Sequence, residues 1–101
     1  MKCIICERRN ATVEIKNRNE KYYICKTCEN NFYTHSNKIV RIKDSDLHFM
    51  YSFRFQKLIA VRTTSIKKLL WLFDPPYRKV WYIQNGKAKP LFIPLRYNLD
   101  L

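Results

Sequence analysis

KCIICERRNATVEIKNRNEKYYICKTCENNFY, residues 2–33, holds all four cysteines of the chain in two C-x-x-C pairs, Cys3/Cys6 and Cys25/Cys28, separated by 18 residues. Two thiolates at this spacing can face one ion from a tight knuckle. A second pair returning after such an interval completes the soft tetrahedral set that zinc prefers. Cys3, Cys6, Cys25 and Cys28 are therefore the expected ligands of a single structural Zn2+. With all four positions taken by protein, no coordination position is left open for catalysis. Paired redox disulfides, an iron-sulfur centre and free buried cysteines are the alternatives. A reducing compartment weighs against the disulfides.

Between the pairs, Thr12 to Lys16 and Lys21 to Ile24 read as short strands joined by a turn at Asn17 to Glu20, and Glu29 to Tyr33 as a brief helix. That order is treble-clef-like or zinc-ribbon-like. The run Cys3 through Ile15, C-x-x-C-x-x-R-x-A-T-V-x-I, followed by Tyr23-Ile24-Cys25-Lys26-Thr27-Cys28, resembles the N-terminal zinc module of McsA-like bacterial regulatory proteins over about the first third of the chain. The resemblance implies a zinc-stabilised interaction surface that regulates a partner kinase, with the same four cysteines as ligands, and no kinase activity of its own.

Beyond the cysteines the chain changes character. It has 101 residues, 20 Lys or Arg against 8 Asp or Glu, a net charge of +12, and 15% aromatic residues. Residues 1–36 carry +3 and residues 37–101 carry +9. Four thiolates and one divalent ion contribute −2, so the zinc-loaded chain stands near +10. The expected organisation is a four-cysteine module, 1–36, joined to a β-rich basic aromatic body with one short helix, 37–101, or packed with it as one domain; the fold class is small α+β. The single glycine, Gly86, excludes glycine-rich phosphate loops and dinucleotide fingerprints, which need several.

Within the body, Lys38 to Lys43 reads as a strand, and Asp44-Ser45-Asp46 as a turn with N-cap chemistry. Phe49, Tyr51, Phe53 and Phe55 alternate as in a strand over 49–55, although Leu47, Met50, Tyr51, Leu58 and Ile59 also fit one helical face. Phe49, Phe53, Phe55, Trp71 and Trp81 are expected in the core. Thr64 or Ser65 caps a helix over Ile66 to Phe73, stopped by Asp74-Pro75-Pro76. Lys79 to Gln84, the Asn85-Gly86 turn and Lys87 to Leu95 read as a hairpin whose Pro90 and Pro94 belong at an edge, bulge or strand end.

The positive field favours an anionic partner, with DNA or RNA first. Candidate phosphate contacts are Lys38, Arg41, Lys43, Arg54, Lys57, Arg62, Lys67 and Lys68, with Arg78, Lys79, Lys87 and Lys89 as a second patch. Tyr51, Trp71, Tyr77, Trp81 or Tyr82 could stack on bases if they face outward. The competing reading is a zinc-stabilised regulator or inhibitor of a larger nucleic-acid enzyme, with Tyr77, Trp81 and Phe92 as an aromatic hot spot on an acidic protein surface.

No catalytic residue is expected. The weaker alternative, a nuclease, would gather Asp44, Asp46 and His48 around an added divalent ion. The N-terminus runs straight into the first cysteine pair without a secretory pattern. The longest apolar stretch, Leu69 to Phe73, is far below the roughly 20 residues of a membrane span. A cytoplasmic, membrane-free protein, in a regulatory and for instance transcriptional role, is the expectation.

Overall fold

The structure, a computed structural model, describes residues 1–74 and 79–92, and for Phe92 the backbone alone. The element order is β1 (Val13–Asn17), β2 (Glu20–Ile24), α1 (Lys26–Thr34), β3 (Lys38–Arg41), β4 (Leu47–Ser52), β5 (Lys57–Arg62), α2 (Ile66–Phe73), β6 (Lys79–Gln84) and β7 (Lys87–Phe92). It is a small α+β fold in which an N-terminal cysteine and helix region joins a mixed sheet. β1 and β2 pair only with each other. The remaining strands form one sheet in the order β5-β4-β3-β6-β7. Its pairs are antiparallel except β3 with β6, which run parallel in the register Ile39↔Tyr82.

That register sorts side chains onto two faces, because successive residues of a strand point to opposite sides. Leu47, Phe49, Leu58 and Ala60 point to the face covered by the cysteine module, where they share one core with Cys3, Ile15, Tyr22, Ile24, Cys25, Cys28 and Phe32. Ile39, Met50 and Val80 point to the other face, which α2 covers with Leu69, Leu70 and Phe73. The sheet is thus a partition with the metal module on one side and a single helix on the other.

Local chemistry explains the strongest elements. Ser65 caps α2 by accepting from the Lys68 N–H at 3.2 Å, and Asp74 ends it in the left-handed region at φ +49°. Asn85 and Gly86, at φ +54° and +77°, form the two-residue turn with both centres left-handed that suits a hairpin's twist. Pro90 sits in β7, an edge strand, where its missing N–H costs no ladder bond.

Three expectations need correction. The strand expected at 49–55 runs instead from Leu47 to Ser52, and Lys57 to Arg62 forms a further strand, so Leu58 and Ile59 lie on no helical face. Phe53 and Phe55 consequently lie in the turn between β4 and β5, where Gln56 takes φ +54°. Phe53 still stacks on Phe73, but Phe55 is 49% exposed at the tip. Trp71 is 40% exposed on the outer side of α2, roofed by the Arg54 guanidinium 4.0 Å from its ring centre, and Trp81 is half-buried. Asp44 to Asp46 make a turn that leads into β4 and caps no helix.

Candidate metal centre and basic cleft

The first cysteine pair is shaped by its own backbone. Cys3 Sγ accepts the Ile5 N–H at 3.4 Å, the Glu7 N–H closes onto the Cys3 carbonyl at 2.9 Å, and Glu7 takes φ +58° to turn the chain. The Ile4 N–H donates to the Tyr23 carbonyl, which hangs this knuckle on β2. The second pair opens α1: Cys25 is its N-cap, and its sulfur accepts the Cys28 N–H at 3.4 Å. Knuckle, hairpin, then helix carrying the second pair is the treble-clef order.

All four sulfurs lie within 4.8 Å of one another. Cys3 and Cys28 are 3.7 Å apart and Cys6 and Cys25 3.8 Å, against about 3.8 Å for the edge of a tetrahedron with Zn–S of about 2.3 Å. A disulfide would need about 2.05 Å. The four sulfurs fit one zinc ion. Three of the four cysteines are buried and Cys6 is half-buried, so the site is closed and structural.

Cys6 and Cys28 are driven in opposite directions by their surroundings. The main-chain N–H of Arg9, then that of Arg8, lower the Cys6 thiol to about 6. Burial, then hydrogen bonds shared with Cys25 and Cys3, push Cys28 well above its ordinary value. A cation among the four is what would offset burial of charge there, at the cost of released protons.

Comparison of the chain with protein families, with curated proteins and with solved structures finds no match in any of the three. The chain carries a four-cysteine, zinc-type module, and no finding ties it to McsA-like proteins in particular.

The expected phosphate contacts do not share one surface. Lys38 and Lys79 flank the Trp81 position on the module's face of the sheet, with Lys79 Nζ 4.5 Å from the Trp81 ring centre. Lys43 lies in the β3–β4 turn, Lys57 begins β5, and Lys67 and Lys68 are exposed on α2. Arg54 is engaged by the Trp71 carbonyl at 2.9 Å and by Asp74. Arg62 is spent on Glu20 Oε1 at 3.1 Å and Asp46 Oδ1 at 2.9 Å, and so ties the β1–β2 hairpin to the sheet. Tyr77 and Arg78, and the side chain of Phe92, lie outside the described residues.

Arg41, Lys87 and Lys89 do converge. The parallel β3–β6 pairing brings them, with Tyr82 and Gln84, to a cleft of about 720 Å³ on the α2 face. His48, only 2% exposed, lies in its floor. Its Nδ1–H donates to the Asp46 carbonyl at 2.9 Å, so Nε2 accepts from the Tyr82 hydroxyl at 2.7 Å. Burial lowers the His48 pKa below its ordinary value and keeps the ring neutral. With both His48 nitrogens engaged and Asp46 paired to Arg62, Asp44, Asp46 and His48 do not assemble the cation site of a nuclease. Among the described residues the cysteine quartet is the grouping that could hold a metal. Sequence reading missed the His48–Tyr82 pair, because it joins residues 34 apart through strands that meet only in the folded sheet.

Proposed function

We propose that this protein is a zinc-stabilised, non-enzymatic nucleic-acid-binding protein of a reducing compartment such as the cytoplasm. In this reading residues 1–36 form the metal clip and residues 37–101 supply the contact surface. The observation that carries it is charge without compensation. Among the described residues, Glu14, Glu20, Glu29, Asp46 and Asp74 are all drawn into ion pairs, while Lys38, Arg41, Lys43, Lys57, Lys68, Lys87 and Lys89 have no carboxylate within 4.0 Å. Polyanionic phosphate is the commonest partner for such a surface. No helix among the described residues is long and apolar enough to cross a membrane.

The test is a salt series with the zinc-loaded protein against single-stranded DNA, duplex DNA and RNA. Log affinity should fall linearly with log salt, by about 0.7 to 0.9 per phosphate contacted. No binding at low salt, together with a discrete complex on an acidic protein, would replace this reading with the regulator.

A further inference from the structure

We propose that the cleft between α2 and the β6–β7 hairpin is a seat for a phosphomonoester carried by a nucleoside: the terminal phosphate of a nucleic-acid strand, or the phosphate of a free nucleotide. This deepens the nucleic-acid reading and rests on it for the choice of ligand.

The cleft exists because α2 is short. Its eight residues cover Ile39, Met50 and Val80 but do not extend over Arg41, Tyr82 and the start of β7, so a cleft with buried His48 in its floor opens beside Ile66. At about 720 Å³ it falls within the range of small-ligand sites. Its lining is lopsided in charge. Arg41, Lys87 and Lys89 come from two strands, and the one carboxylate among the described lining residues, Asp46, is held by Arg62 at 2.9 Å. Such a site is satisfied by a ligand with close to two negative charges. A phosphomonoester supplies them near neutral pH, because its second pKa is about 6, whereas an internal phosphodiester supplies one.

The cationic centre is also braced. Asp46 holds His48 through its main-chain carbonyl, and His48 in turn accepts from the Tyr82 hydroxyl, which fixes Tyr82 beside Arg41 in the cleft wall. Arg41 Nε is further fixed on the Ser45 carbonyl at 2.6 Å. The guanidinium is thus anchored through Nε, with its terminal N–H groups left for a phosphate in the forked geometry that arginine offers. His48 and Tyr82 act as positioning residues. Leu91 and Ile66, with the Tyr82 ring, supply the apolar surface against which a base can lie.

The experiment measures binding of the zinc-loaded protein to one oligonucleotide sequence with a 5′-phosphate, a 3′-phosphate or hydroxyl ends, and to the mononucleotide, each with competition by inorganic phosphate. A terminal phosphate should raise affinity about tenfold or more, the worth of one charge-assisted hydrogen bond. The gain should vanish in Arg41→Gln and in Lys89→Gln, the latter at an exposed position that keeps the test available if the former does not fold. Tyr82→Phe should lose part of the gain with its circular dichroism unchanged, while Lys16→Gln in β1 should keep all of it. Binding of the mononucleotide as tight as that of the phosphorylated strand identifies a free nucleotide as the source; much tighter binding of the strand identifies a strand end. Equal affinity for phosphorylated and hydroxyl ends, or a gain that survives both cleft substitutions, overturns the proposal even if salt-dependent strand binding persists. Binding of the mononucleotide with no affinity for any strand would instead keep the seat and remove the nucleic-acid reading.

Discussion

Replacing Phe49 by alanine attacks the partition between the metal module and the sheet at its centre. Phe49 is fully buried in β4, its ring meets Tyr22 of the β1–β2 hairpin edge-on at 5.7 Å, and the same core contains Cys25, Cys28 and Phe32. Deleting a buried phenyl ring costs about 3 to 5 kcal/mol in transfer and cavity terms, and the edge-on contact to Tyr22 lies within that loss. A chain of this length has about 5 to 15 kcal/mol in all, so Phe49→Ala should forfeit a large share. With a urea slope of about 2 kcal/mol/M, the midpoint should fall by roughly 2 M. The assay follows unfolding of the zinc-loaded protein by far-ultraviolet circular dichroism and, in parallel, by zinc release to a chromogenic chelator. Because one core serves both sides, the two curves should move together. A loss under about 1 kcal/mol, or zinc release that keeps its wild-type midpoint while the sheet melts earlier, would refute the shared core.

Three further outcomes follow from the same structure. Chelating the metal, or introducing Cys28→Ser, should remove hydrogen-exchange protection across β1, β2 and α1 first, since a structural zinc of this kind contributes about 10 to 16 kcal/mol of apparent binding energy. His48 is neutral and buried, with its folded pKa below the ordinary 6.5. The unfolded chain therefore takes up the proton first, and stability should fall as pH drops from about 6.5 toward the folded value; comparing the urea midpoint of wild type with His48→Gln across this range isolates the effect, and parallel curves would contradict it. Ser65→Ala should cost about 1 kcal/mol by removing the cap of α2, read from thermal or urea unfolding.

What could be read in the sequence followed the range of the interactions. The cysteine spacing, the Ser65 to Asp74 helix and the Asn85-Gly86 hairpin are written in a few consecutive residues, and the fold matches them closely. Lys57 to Arg62 is not legible as a strand because K-L-I-A-V-R alternates only weakly, and its strand character comes from pairing with β4. Phe55 looked like core by alternation, but the pattern carried past the end of β4 into a turn. The cleft was least visible. Arg41, Lys87 and Lys89 were each legible as cations, yet their meeting depends on the parallel contact of β3 with β6, and that contact spans three intervening elements, β4, β5 and α2. The Arg62 bridge between Glu20 and Asp46 is hidden for the same reason.

Everything above depends on Cys3, Cys6, Cys25 and Cys28 closing around one structural ion. Native mass spectrometry of the zinc-loaded protein, set beside its mass under denaturing conditions, tests this most directly. One zinc per chain is the predicted result, and chelation should broaden the charge-state distribution as the module opens. A metal-free chain that stays folded and compact, with four freely reacting thiols, would contradict it.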